Sequence, residues 1–197
     1  MVFKKHTPCM NIQIIGLLLA STLLLLSGCS STTGKYMNKA FMRDNVSLAH
    51  IKTVAVLPFE GGNRAPRIRE FAMTQILVSG IFDVVDKGRI DNLLSLEAIS
   101  PGAPLDNVTI RRLGQQLKVE AVLFGSVEED SISRGSAVFP EISMTLRLVD
   151  CETGLLLWQA SGKGSGYSTA DRLFGIAPKD SFEVTMGLLN NLFSTIH

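Results

Sequence analysis

The chain has 197 residues, 46% hydrophobic and 19% charged, and its 19 basic and 18 acidic side chains give a formal net charge of +1. That near-balance excludes the basic stripe of a nucleic-acid binder and the like-charge block of a disordered tail. Three cysteines and three histidines form neither a disulfide framework nor a zinc-ligand spacing.

Lys4 and Lys5 precede an apolar run from Ile14 to Leu26, interrupted only by Gly16, Ser21 and Thr22. A positive flank, a short apolar stretch and small residues behind it are the parts of an export signal. The run is shorter than the roughly twenty residues that span a bilayer as a helix. It ends in Leu26-Ser27-Gly28-Cys29, which resembles the lipobox of bacterial lipoprotein precursors. The resemblance implies that residues 1–28 are a signal peptide, that the Cys29 thiol receives a diacylglyceryl group, and that the new amino terminus is acylated. An ordinary signal peptide or a retained anchor is the alternative. Ser30 and Ser31 stand at the sorting positions with no aspartate, which by the same pattern implies the outer membrane, lipid-anchored and facing the periplasm.

Cleavage removes two lysines and no acids, leaving 19 − 2 = 17 basic against 18 acidic groups on 197 − 28 = 169 residues. Cys9 goes with the signal and Cys29 is consumed by lipid, so Cys151 remains alone and no intramolecular disulfide is expected. With no nearby histidine or basic cluster to lower its pKa, Cys151 reads as an unreactive structural residue; an intermolecular disulfide is the alternative.

Residues 29–50 read as a lipidated tether that opens on Ser30-Ser31-Thr32-Thr33-Gly34, with a helical turn around Tyr36 to Arg43. Met37, Phe41, Met42 and Val46 are too apolar for a solvated linker and imply docking, on the chain's own domain or on a neighbouring subunit.

From Ile51 to His197 the pattern is that of one α/β domain of 197 − 50 = 147 residues, large enough to bury about two-thirds of its unfolded surface. Ile51 to Phe59 is β-branched and almost wholly apolar, which suits a strand covered on both faces. Pro58 marks its end or an edge, and Glu60 to Pro66 is a loop. Arg67 to Ser79 is a helix with Ile68, Phe71, Ala72 and Ile76 on one stripe and Gly80 behind it. Ile81 to Asp86 is a strand reached by a βαβ crossover, hence parallel to the first. Lys87 to Ile99 is a second helix, with Ile90, Leu93, Leu94 and Leu96 inward. Val108 to Lys118 is a third, capped by Asp106 or Asn107.

Val119 to Val127 is a buried strand in which Gly125 marks a bulge or a point of close packing. Ile142 to Leu148 alternates apolar and polar residues, as a strand with one wet face does. Asp150 to Gly154 is a turn in which the aspartate bonds ahead to the backbone and Gly154 takes positive φ; Leu155 to Gln159 returns as its hairpin partner. Phe182 to Ile196 is a terminal helix. The order β-α-β-α-α-β-β-β-α implies a mixed sheet with packed helices, its first three strands parallel and its last three in antiparallel hairpins.

That order, with VAVLPF (54–59), SGIFDVVDKGRIDNLL (79–94), LGQQLKVEAVLFGSV (113–127) and LRLVDCETGLLLW (146–158), resembles the lipoprotein family of the curli secretion protein CsgG. The likeness covers residues 51 to about 160 and the terminal helix, and it concerns fold-defining elements. Family members often carry Gly-Ala-Asp before the third strand, whereas this chain has Lys118-Val119-Glu120, which changes the helix end. The family's secretion pore needs two additional amphipathic hairpins, with spanning strands of roughly nine to eleven residues. Glu128 to Glu141 is too short and too charged for them, and Ala160 to Ser181 carries Lys163, Asp171, Arg172, Lys179 and Asp180. The resemblance therefore implies the periplasmic domain without its channel.

No catalytic set emerges. His50 and His197 stand at the first strand and at the carboxyl end, so His50 reads as a solvated strand-start residue. Glu60 to Arg64 and Gly162 to Gly166 lack the glycine and lysine spacing of phosphate loops and read as plain loops. Glu128, Glu129 and Asp130 read as a solvated hairpin end, and Trp158 as core or subunit interface. No cofactor or metal is expected, and no enzyme activity. The resemblance implies a scaffold or assembly factor in envelope biogenesis or surface-appendage secretion, with the membrane (through the lipid) and further copies or envelope proteins as partners. An activator of a periplasmic peptidoglycan synthase and a subunit of a secretion channel are the alternatives.

Overall fold

A computed structural model describes residues 36–44, 46–134, 137–167 and 179–196. Its sheet is mixed and runs β1-β7-β6-β5-β2-β4, with a short β3 beside β5. The strands are β1 (Tyr36–Met42), β2 (Thr53–Val56), β3 (Glu60–Gly61), β4 (Asp83–Val84), β5 (Ala121–Arg134), β6 (Ala137–Asp150) and β7 (Leu156–Ser165). Among the described residues four α-helices pack on it: α1 (Ala65–Ser79), α2 (Lys87–Leu96), α3 (Asn107–Leu117) and α4 (Ser181–Phe193).

The parallel half forms as the crossover rule requires. β2 pairs in parallel with β4 on one side and with β5 on the other. Pro58 ends β2 because it has no N–H for the ladder, yet the chain rejoins the same neighbour two residues later, where Glu60 and Gly61 pair with Ser126 and Val127. A segment expected as loop thus opens with a short strand. α1 then buries Ala65, Ile68, Arg69, Ala72, Gln75 and Ile76, a stripe at three- and four-residue spacing, and Gly80 closes the helix in the left-handed region at φ 65.

Each later helix begins on an aspartate whose side chain accepts the backbone N–H of a residue in its first turn: Asp86 from Arg89, Asp106 from Thr109 and Asp180 from Glu183. α2 stops at Leu96, three residues short of the expected end, because Ala98 turns at φ 53. Leu96 is 78% exposed, so it does not join Ile90 and Leu94 in the core. At the end of α3 the left-handed position falls on Lys118 itself, at φ 60.

Two cores sandwich the sheet. On one face Val54, Val56, Leu123, Ile142, Leu146 and Trp158 meet α1 and α4. On the other, Ala55, Leu57, Val122 and Cys151 meet Ile90 and Leu94 of α2 and Ile110, Leu113 and Leu117 of α3.

The antiparallel half is longer than the sequence suggests. β5 and β6 pair without interruption from Ala121↔Asp150 to Arg134↔Ala137, so the charged stretch expected as a connection is the outer part of a hairpin. The only irregularity in the β6–β7 ladder lies at Leu148/Val149. Gly125 pairs in regular register with Leu146, which leaves close packing, not a bulge, as its role. Gly162 to Ser165 belong to β7 rather than to a loop. β1 corrects the expected helical turn: Tyr36 to Met42 pair antiparallel with Gly164 to Trp158. Arg43 fastens the end of this strand, its N–H donating to Leu157 O at 2.9 Å and its Nε to Leu156 O at 2.7 Å.

Candidate functional site

Cys29, the one residue to which the sequence assigns a function, lies outside the described residues, as do Ser30 and Ser31. Among the described residues, three other features have the chemistry or the exposure to act.

The first is an uncovered sheet face. α2 and α3 cover β2 and the start of β5, and beyond them the registers of β1, β7, β6 and β5 line up three rows on the same side. One row is Met37, Lys163, Ser143 and Glu128; the next Lys39, Ser161, Thr145 and Ser126; the third Phe41, Gln159, Arg147 and Phe124. Period-two alternation produces this, since Ile142, Met144, Leu146 and Leu148 of the same strand are buried on the opposite side. Side-chain contacts join neighbouring strands along this face. Thr145 Oγ1 and Ser161 Oγ lie 2.8 Å apart, Lys163 pairs with Glu141, and the Arg147 guanidinium sits 5.5 Å from the Phe124 ring centre. At the sheet edge Met37 is 74% and Phe41 48% exposed, two large apolar side chains flanking Lys39 on a strand whose outer edge is unpaired among the described residues.

The second feature is a cleft of about 870 Å³ between α3, the β6–β7 turn and the approach to β2. Asp150, expected to organise its turn, does so: its Oδ1 accepts from Thr153 N and Thr153 Oγ1, both at 2.7 Å. Its Oδ2 lies 3.2 Å from His50 Nε2, and His50 Nδ1 lies 2.8 Å from Ser47 O. Both ring nitrogens of His50 therefore face acceptors, a demand that only the doubly protonated ring meets. The hydrogen bond to Asp150 raises the imidazole above its ordinary value of 6.5, against a smaller opposing effect of burial, with Ser47 and Glu120 adding to the rise. Burial alone would lift the Asp150 carboxyl, but Thr153 and His50 hold it below the usual carboxylate value.

His50 stays exposed just before β2, as a solvated strand-start residue does, and its ring adds a contact to Asp150. Sequence could not pair it with Asp150, one hundred positions away. With both nitrogens engaged the ring has no site from which to deprotonate a nucleophile. A folded pKa above the unfolded one means that the pair's stabilisation is fully present below about pH 6.5 and is lost as pH rises through the folded value. The His50 side chain is half exposed, so the effect is screened to about 0.5 kcal/mol or less. Urea unfolding at pH 6 and pH 8.5 is expected to show that loss in the wild type and its absence in His50→Gln.

Cys151 lines the same cleft but is buried. Burial, with Asp150 and Glu120 nearby, pushes its thiol up to about 12, so thiolate is scarce at neutral pH. A maleimide is expected to leave Cys151 unmodified in the folded protein and to label it fully in 8 M urea, as intact mass shows; fast labelling without denaturant would contradict the inert reading.

The remaining expected features resolve as structure. Glu129 pairs with Arg64 at 3.1 Å, Asp130 accepts from Ser131 N at 2.7 Å and Glu128 faces the open sheet, so the three acids do not converge. No group of three ligating side chains gathers among the described residues. Trp158 is fully buried.

The third feature, Arg69, was hidden from sequence reasoning. It is 2% exposed, a charge on the buried stripe of α1, and its position between Ile68 and Ala72 was the available signal.

No family model and no curated protein sequence matches the chain. Among solved structures it is similar to the PelC dodecamer from Paraburkholderia phytofirmans (19% identity over 81% of this chain and 95% of that one, TM-score 0.56). It is also similar to a variant of that dodecamer (21%, covering 80% and 96%, TM-score 0.54). A third likeness is to lipoprotein GNA1162 from Neisseria meningitidis (18%, covering 74% and 94%, TM-score 0.52). At these identities the likeness is one of fold: the mixed α/β sheet with its packed helices is shared almost end to end with those chains.

Proposed function

We propose that this chain is a lipid-anchored outer-membrane protein whose periplasmic CsgG-like domain works without catalysis, as a scaffold or assembly factor that associates with further copies of itself. The observation that carries the reading is the face of β1, β7, β6 and β5 left open among the described residues, with Met37 and Phe41 exposed at its edge. Large apolar side chains on an unpaired edge are the kind of surface that soluble monomers blunt or cover. The PelC chain of the same fold is a dodecamer, and the GNA1162 chain is a lipoprotein, which supports both halves of the proposal. A channel is disfavoured by length: beyond Val127 the β5 arm runs only through residues 128–134, fewer than the nine or so a spanning strand needs. Of the other stretch weighed for spanning, residues 168–178 lie outside the described residues.

Native mass spectrometry and sedimentation of the full chain in neutral detergent test the proposal. A discrete oligomer is expected, and Phe41→Asp combined with Met37→Asp is expected to dissociate it by at least tenfold in concentration. A wild-type chain that stays monomeric at high concentration would overturn the self-association. Intact mass of Cys29→Ala, which should lack the acyl groups, tests the anchor separately.

A further inference from the structure

β2 lies between β4 and β5, and the connections after β2 and β4 diverge. α1 leaves β2 for one core and α2 leaves β4 for the other. Such a switch point opens a crevice beyond the carboxyl ends of parallel strands, the place where open α/β sheets take ligands. Here the crevice measures about 590 Å³, within the range of small-molecule sites. Its walls are mainly apolar: Phe59 after β2, Pro66 on α1, Leu94 on α2, and Ile99 and Pro101 beyond it.

Arg69 is built into this wall. Its Nε donates to Val56 O at 2.8 Å and its Nη1 to Asp91 Oδ1 at 2.6 Å. Nη2 is buried and has no hydrogen-bond partner among the described residues. A buried donor without an acceptor costs about 1–3 kcal/mol, and the stripe of α1 needs only an apolar residue at this position. Lys87 adds a second cation to the lining, shared with Glu70 at 2.8 Å, and Asp91 is the one carboxylate there. Each cation is thus paired with one carboxylate, Arg69 with Asp91 and Lys87 with Glu70, and the unmet demand at the site is the donor Arg69 Nη2 rather than a net charge.

We infer that this crevice binds a small amphiphilic anion, a ligand with a carboxylate or phosphate-monoester head and an apolar body. The head accepts a hydrogen bond from Arg69 Nη2 and the body lies against Phe59, Leu94 and Ile99. With Nε and Nη1 already engaged, the guanidinium offers one contact instead of the two-pronged fork, so the apolar body carries much of the affinity. The site lies beyond the strand ends between α1 and α2, takes no lining residue from β1, β7 or β6, and does not depend on self-association.

Phenylacetate and phenyl phosphate are the probes, with benzyl alcohol lacking the charge and inorganic phosphate lacking the body. Each is titrated into the full chain in neutral detergent while the Arg69 side-chain 15N–1H resonances are followed. A saturable shift is expected with one or both aromatic anions, at least tenfold tighter than with either control. A stronger response to phenylacetate assigns a carboxylate head, and a stronger response to phenyl phosphate assigns a phosphate ester. Arg69→Lys keeps the charge but removes Nη2 and is expected to weaken binding tenfold or more. Because Arg69 is buried and that variant could unfold, Ser95→Trp serves beside it: it fills the crevice from an exposed position on α2, should abolish the shift, and leaves the oligomer intact. No saturable response, equal binding of benzyl alcohol or inorganic phosphate, or undiminished binding by folded Ser95→Trp overturns the inference.

Discussion

Trp158→Ala is expected to remove about 3–5 kcal/mol of stability, a large share of the 5–15 kcal/mol typical of a native domain. The indole is fully buried on β7. It stacks on Phe193 with ring centres 6.0 Å apart, and its Nε1 donates to Thr195 Oγ1 at 2.9 Å. Truncation therefore leaves a ring-sized void between the sheet and the end of α4, where both partners belong to elements already fixed by other contacts and collapse is restricted. Trp158→Phe keeps most of the volume and loses the hydrogen bond. Thr195 Oγ1 still donates to Leu192 O at 2.7 Å, so the cost should fall to about 1–2 kcal/mol. Urea melts of the two variants would separate the packing from the polar contact. A loss below about 1 kcal/mol for Trp158→Ala would mean that α4 does not rest on this residue.

Gly125→Val is expected to cost about 3 kcal/mol and Gly125→Ala somewhat less. A Cβ at 125 would stand 2.5 Å from two carbons of the Phe59 ring, inside any allowed contact. Phe59 is itself buried in the core that β5 shares with α1. The ring cannot swing away without emptying that space, so the strain is shared between β5 and the chain after Pro58. A double-mutant cycle checks the cause: Phe59→Leu should make Gly125→Ala at least 1 kcal/mol less harmful than it is alone. Additivity of the two changes would place the strain elsewhere.

The parts of the fold legible in the sequence are those whose signals are local. The start of α3 is written in Asp106, the stop of α1 in Gly80, and the β6–β7 turn in Asp150 and Gly154, whereas the caps Asp86 and Asp180 stand at an expected strand end and in an expected connection. β1 was not legible because nothing within Tyr36 to Met42 identifies a strand without its partner. Its pattern places Tyr36 against α4, where Tyr36 OH donates to Glu183 O at 3.4 Å and Asn38 Nδ2 to Asn191 O at 3.3 Å. These partners lie about 150 positions away. Gly187 shows the same dependence. Inside a helix a glycine reads as a weakness, yet a Cβ there would collide with the Tyr36 ring, so the glycine is the notch that lets the edge strand dock.

The candidate sites were legible in proportion to how local they are. Asp150 announced its turn, whereas its contact with His50 joins two distant segments. Arg69 carried a signal, a charge on an apolar stripe, but only the sheet order shows that it borders a crevice.

The docking of β1 has a geometric consequence for the proposed anchor. If Cys29 carries the lipid, the chain between it and Tyr36 spans 36 − 29 = 7 residue steps, at most about 25 Å when fully extended. The start of the edge strand would then stay within that reach of the bilayer, and every copy of the domain would float in one shallow layer. Copies that would meet rarely in a volume would then meet on a plane. Confinement of this kind raises effective concentration without adding a contact, and a weak edge-to-face interaction becomes sufficient for assembly.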